Sequence, residues 1–293
     1  MKIKTSLGQR IFDVFNVFFM LLLIVVMIYP LWHVACASLS DSRVMLSHQG
    51  LLLLPKGFSL DAYRAVFTNK MLLKSYMNTF SIVGISLVVN ILLTSLAAYC
   101  LSRKNFVSGK FFMKMITVTM FFSGGLIPEY LLITRTLGMY DTHMALIIPG
   151  AMSTFNMIIM RNAFSQIPES LIESARLDGA THTQTLFRIV FPLSLSTISV
   201  MILYYGVAHW NAWFKASIYL KTRAKFPLQL ILREILMQNS TDSMMGAQEA
   251  DQFAISESIK YAIIMVATVP ILMLYPYLQK YFRKGVMVGA VKG

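Results

Sequence analysis

Long, nearly uninterrupted apolar runs constrain this chain more than any other feature. Several reach roughly 20 residues, the length an α-helix needs to cross a ~30 Å hydrocarbon layer. Backbone exposed to lipid has to satisfy its own hydrogen bonds, so these runs are expected to be helices. With 56% hydrophobic residues among 293 and a mean hydropathy of +0.63, the chain carries more apolar surface than a water-soluble fold of this length could bury. The expected fold class is all-α, a polytopic integral membrane protein with about six transmembrane helices.

The spans are placed at 11–36, 78–101, 111–133, 144–160, 194–220 and 259–282. Polar segments at 38–76, 161–191 and 221–258 separate some of them. An even number of spans leaves both termini on one side. The loop 102–110 carries Arg103, Lys104 and Lys110 with no acid, which favours the cytoplasmic side. Lys2, Lys4 and Arg10 before an apolar run, with Ala35-Cys36-Ala37 after it, imitate a signal peptide. The run at 11–36 exceeds the ~7–15 residues of a signal-peptide core, so a retained span is expected. No repeat or soluble segment interrupts residues 1–293, which are read as a single transmembrane domain.

A formal charge of +13 would suggest nucleic acid in a soluble protein. In a membrane chain, basic residues flank spans and meet anionic headgroups, so membrane lipid is the expected partner and nucleic acid is not. Cys36 and Cys100 fall at opposite faces, so no disulfide is expected. No CxxC, no His/Cys cluster, no Ser/His/Asp grouping and no carboxylate pair point to a metal site or to catalytic residues. No GxxxxGK[ST] loop is present to cradle a nucleotide, so the chain is not expected to be an enzyme or to bind a cofactor itself.

The segment 164–191 holds the most specific signal. Pro168 suits the first position of a helix, Glu169 complements its dipole, and Gly179 can take the left-handed conformation that ends it, so the helix should stop at Asp178. Thr181 and Gln184 have capping-box spacing, which starts a second helix at once. Capping signals alone also fit an amphipathic connector on the headgroups. The string Glu173-Ser174-Ala175, Asp178-Gly179-Ala180, Phe187 and Pro192 resembles the EAA loop of ATP-binding-cassette importer permeases, with Ser174 where that family usually has alanine. Ser123-Gly124-Gly125-Leu126-Ile127-Pro128, Trp210-Asn211-Ala212-Trp213-Phe214 and the glycine-rich tail at 281–293 are similar to the carbohydrate branch. They look most like its subgroup for oligosaccharides derived from complex polysaccharides, including alginate-oligosaccharide importers.

The resemblance implies the ABC importer permease fold, a bacterial inner-membrane location and a single permease domain with a cytoplasmic coupling segment at 164–191. It implies that Glu173, Ser174, Ala175, Asp178, Gly179 and Ala180 couple to ATPase subunits, and that the tail reaches the ATPase pair. The implied partners are a second homologous permease, two cytoplasmic ATPase subunits holding ATP and Mg, an extracytoplasmic solute-binding protein and an oligosaccharide. An acidic, uronate or alginate-type, oligosaccharide is the leading substrate and a neutral one the alternative. An ion-coupled secondary transporter would need midplane acids and inverted repeats, and neither is seen. A membrane enzyme would need clustered acids or histidines, which are absent as well.

Three further constellations leave alternatives open. Ser123-Gly124-Gly125 and Pro128 should loosen the third span, either for helix packing or as a hinge. Tyr204, Tyr205 and Asn211 on the fifth span are candidates for the sugar pathway, because aromatic faces and hydrogen-bonding edges suit sugars. Trp210 and Trp213 fit an interfacial belt equally well. Glu129 and Asp13 sit near span ends and can reach water. Lys215, Lys221, Arg223 and Lys225 crowd the outer end of the fifth span with no acid between them. Attraction of an anionic sugar, docking of the binding protein and snorkelling to headgroups all remain open for them.

Overall fold

In the computed structural model the described residues are 7–47, 50–245, 258–274 and 276. The tail at 281–293 lies outside them, as does the end of the sixth expected span. The chain runs through α1 (Leu7–Ser38), α2 (Ser42–Ser47), α3 (Asp61–Thr68), α4 (Lys70–Ser102), α5 (Gly109–Val118) and α6 (Leu126–Leu131). A π-turn at Leu132–Thr136 leads to α7 (Met144–Ile147), followed by α8 (Thr154–Ser165), α9 (Glu169–Leu177), α10 (His182–Thr185) and, past a second π-turn, α11 (Phe191–Leu193). Then come α12 (Leu195–Trp210), α13 (Phe214–Tyr219), α14 (Leu228–Met245) and α15 (Ser258–Leu274). Two compact units divide the chain, Met1–Asn69 with Glu234–Thr268, and Lys70–Arg233 with Val269–Gly293.

In the first unit, α1 is long enough and apolar enough to span a membrane alone. Its apolar residues from Leu7 to Ile28 stay exposed, and only Cys36, Ala37 and Ser38 at its end are buried. Such an arrangement suits lipid and would be unstable in water. The following loop folds back on the helix end, with the Trp32 indole N–H donating to the Leu53 carbonyl at 2.9 Å and Leu52 buried beside Cys36 and Ala37.

The second unit is organised on α4, also long and apolar enough to span. Its buried face includes a run of polar and small residues, Ser75, Asn78, Thr79, Ser86, Asn90, Thr94 and Ser95, among Leu72, Ile82 and Tyr99. Leu73, Met77, Phe80, Ile85, Val88, Leu92 and Leu96 are exposed. Polar groups inward and apolar groups outward is the pattern a bilayer imposes, with the buried hydroxyls and amides joining helices together. α4 packs along α8 and α12, and α12 packs on α8.

The third, fourth and fifth spans depart from the continuous helices expected. α5 ends at Val118 and a helix resumes only at Leu126, with Gly125 at φ +87°. The glycine pair therefore breaks the third span instead of loosening it. The fourth span bends by 50° between Met144–Gly150 and Thr154–Ser165, and the fifth stops at Trp210 before α13. Among the described residues, two helices can cross a membrane by length and composition, four if each bent pair counts as one span. The segment 221–258, expected to be polar, contains α14, whose Leu228, Leu230, Ile231 and Leu232 are buried.

Candidate functional site

The elbow between α9 and α10 follows from its own residues. Asp178 closes α9 and Gly179 takes φ +80°. The Gly179 N–H donates to the Arg176 carbonyl at 3.0 Å and the Ala180 N–H to the Ala175 carbonyl at 2.9 Å. Those two bonds make a Schellman ending. A Cβ on Gly179 would meet no atom within 4 Å, so the backbone angle alone calls for glycine. The Thr181 side chain then accepts from the Gln184 N–H at 3.3 Å while Gln184 Oε1 accepts from the Thr181 N–H at 2.8 Å. Both halves of the capping box are formed. Pro168, expected as the first helical residue, precedes the helix instead, because its ψ of 131° is extended.

Among the motif residues, Ala175 is buried with Ile172, and Ala180 is half-buried. Glu173, Ser174, Asp178 and Gly179 face outward, and Leu177 at the tip is 89% exposed. Arg103, at the end of α4, holds the base of the elbow. Its Nη2 donates to the Phe164 carbonyl at 3.0 Å, and its Nη1 lies 3.9 Å from Glu169 Oε2.

At the other end of the second unit is a cavity of about 550 Å³. Tyr204, Asn211, Trp213, Phe214 and Lys215 contribute to its wall. The breaks in the fourth and fifth spans shape it. Where the chain bends after Gly150, Asn90 Nδ2 donates to the Gly150 carbonyl at 2.6 Å, so Asn90 Oδ1 is left to accept from His209 Nε2 at 2.9 Å. The Ser153 N–H, exposed by the same bend, donates to the Tyr205 hydroxyl at 2.9 Å, which also meets Thr94 Oγ1 at 2.8 Å. Of the three expected pathway residues, Tyr204 and Asn211 are exposed on the cavity wall. Tyr205 lines the same cavity but is buried, its ring in the core and its hydroxyl bonded to α4 and to the start of α8.

Lys215 lines this cavity and an adjoining one of about 500 Å³ walled by Ser123, Gly124, Gly125 and Glu129. Its Nζ lies 2.6 Å from Glu129 Oε1, and both side chains remain near two-fifths exposed. Glu129, expected merely to reach water, is thus an ion-pair partner.

The family described as the binding-protein-dependent transport system inner membrane component matches residues 2–288. The chain belongs to that family. It is a multi-pass inner-membrane permease component of a binding-protein-dependent ABC transporter, with no enzymatic activity of its own and no cofactor. It is 39% identical over 286 residues to the polygalacturonan/rhamnogalacturonan transport system permease protein YtcP of Bacillus subtilis, covering 97% of this chain and 99% of that protein. It is 26% identical over 280 residues to the galactooligosaccharides transport system permease protein GanQ of the same organism, covering 92% of each. A crystal structure of a bacterial ABC transporter involved in the import of the acidic polysaccharide alginate contains a chain that matches with a TM-score of 0.85 and 29% identity, over 96% of this chain and all of that one.

Sequence reasoning missed what fixes the segment 221–226. Asp141, at φ 56°, accepts from the Lys221 and Thr222 N–H groups at Oδ1 and from Thr222 Oγ1 and Lys225 Nζ at Oδ2. Asn78 Nδ2 donates to the carbonyls of Ala224 and Phe226. The Lys225 ammonium first, then the Thr222 and Lys221 donors, hold the Asp141 carboxyl well below the usual carboxylate range. Lys225 is therefore a structural cation. The basic residues lack a nearby acid in sequence, but two of them find one some 80 positions away, Lys215 at Glu129 and Lys225 at Asp141. Trp210 is buried against Phe80, and Trp213 carries the Arg233 guanidinium at 3.5 Å, so neither reduces to an interfacial belt residue.

Proposed function

We propose that this permease passes acidic oligosaccharides, of uronate type, and that Lys215 receives their carboxylates. The single observation that carries this reading is the Lys215–Glu129 pair in the wall of an aromatic-lined cavity. A pair this exposed contributes only ~0–1 kcal/mol to stability. Exchanging Glu129 for a substrate carboxylate therefore costs little and leaves Lys215 neutralised throughout. Tyr204 and Asn211 offer the sugar a ring face and an amide beside that cation. Tyr205 belongs to the same wall, and its buried hydroxyl holds that wall together. The names of two similar proteins point the same way, since polygalacturonan is a polymer of a uronic acid and alginate is named as acidic.

The chain acts as one permease domain beside a second homologous permease, and the segment 164–191 docks on one of two ATPase subunits that hold ATP and Mg. Glu173, Ser174 and Asp178 supply the polar contact, Leu177 the apolar tip, and Ala175, Gly179 and Ala180 the stiff turn that transmits closure as a rigid-body movement. An extracytoplasmic binding protein delivers the sugar. The test is ATP turnover of the assembled, reconstituted complex, with the binding protein loaded with an oligogalacturonate or with a neutral oligosaccharide of equal length. Stimulation by the first and not the second is expected. Stimulation by the neutral sugar alone would reverse the assignment.

A further inference from the structure

A third cavity, of about 530 Å³, lies where α4 meets the elbow. Leu96, Cys100 and Phe106 form an apolar wall, and Arg103, Arg176 and His182 bring cationic or hydrogen-bonding groups to the same space. Leu96 and Cys100, one turn apart on α4, are both exposed and continue the apolar outer face of that helix. The polar side is unfinished. The Arg103 side chain is 8% exposed, and its Nη1 has no hydrogen-bond partner, Glu169 Oε2 being too far away at 3.9 Å. Tyr99 is 6% exposed, with its ring under the Arg103 guanidinium at 5.0 Å, and its hydroxyl is also without a partner. Buried donors without acceptors are costly, and two in one wall call for an acceptor from outside the chain.

We propose that this cavity holds the phosphate of an anionic phospholipid, its apolar part lying along Leu96 and Cys100 and its headgroup against Arg103, Tyr99 and Arg176. The shared chemistry is that of a phosphate oxygen meeting guanidinium and phenol donors. A cationic pocket that opens onto the apolar face of a spanning helix selects the lipid-borne form, because lipid alone supplies both halves. A headgroup at this position touches α4 and the elbow together. Anionic lipid therefore stiffens the segment assigned above to coupling, and the inference rests on that assignment only for the consequence, not for the binding.

The experiment uses the assembled complex in nanodiscs of phosphatidylcholine mixed with phosphatidylglycerol, followed by native mass spectrometry of the lipid retained on extraction. Wild type and Lys104→Gln, a neighbouring cation outside the pocket wall, should retain phosphatidylglycerol selectively. Arg103→Gln and the exposed-rim variant Arg176→Gln should each retain about tenfold less, the loss expected for one charge-assisted bond. Should Arg103→Gln fail to assemble, Arg176→Gln decides alone. Equal retention by the Arg variants and wild type would overturn the site, as would wild type that retains no anionic lipid because another subunit covers it. Displacement of the lipid by millimolar glycerol phosphate would overturn the lipid assignment in favour of a soluble anion. Sugar-stimulated ATP turnover of wild type, compared between nanodiscs with and without phosphatidylglycerol, tests the coupling consequence separately from the binding.

Discussion

Tyr205→Phe removes one oxygen from the centre of the second unit. The ring is 4% exposed and keeps its packing, so the cost comes from the two partners of the hydroxyl. Thr94 lies within α4 and can turn its hydroxyl to a carbonyl one turn back, so its loss is small. The Ser153 N–H has no such recourse, since it sits in the bend before α8. A buried donor left unpaired costs about 1–3 kcal/mol and a part-buried one beside a cavity, as here, sits at the low end, against an average of about 0.6 kcal/mol for interhelical hydrogen bonds measured in a membrane protein. We expect about 1 kcal/mol, read from unfolding of the purified permease by increasing SDS in mixed micelles. Tyr204→Phe, half-exposed on the cavity wall, should leave stability unchanged while lowering uptake. A Tyr205→Phe variant within about 0.5 kcal/mol of wild type, the range of an ordinary surface change, would refute the claim that this hydroxyl secures the bend.

Gly179→Ala meets no atom, so its whole cost is the left-handed backbone angle, about 1–2 kcal/mol, and Gly179→Asn should cost less. Both substitutions should lower sugar-stimulated ATP turnover in that order while the complex still assembles, as checked by co-purification of the ATPase. Asp141 has a depressed pKa, so its contribution is complete above the ordinary carboxylate value near 3.9 and is lost as pH falls below that toward the folded-state value. Hydrogen exchange at Lys221 and Thr222 should therefore show pH-independent opening between about pH 5 and 7, with protection falling only under strong acid. Asp141→Asn should weaken that protection at every pH.

The elbow could be read from sequence because its determinants are local: Gly179, Thr181 and Gln184 act on backbone groups within a few residues. The broken spans were less legible. Ser123-Gly124-Gly125 suggested only a loosened helix where the span in fact breaks, and the bend after Gly150 is stabilised by Asn90, His209 and Tyr205, which come from two other helices. Hydropathy averages such residues away, since they count as isolated polar interruptions of apolar runs. α14 was lost in the same manner, since its buried Leu228, Leu230, Ile231 and Leu232 are interrupted by Gln229 and too few to register inside a polar segment. The role of Lys215 depended on Glu129, 86 positions earlier, and no spacing rule links the two.

Uptake by proteoliposomes containing the assembled complex, with binding protein saturating, tests the central claim most directly when wild type and Lys215→Gln are each given a uronate oligomer and a neutral oligosaccharide of equal length. One charge-assisted contact corresponds to roughly a tenfold or larger effect. The account predicts a loss of about that size for the uronate in Lys215→Gln, shrinking as added salt screens the exposed charge, and little change for the neutral sugar. Equal losses for both sugars, or a wild-type complex that carries only the neutral one, would contradict it.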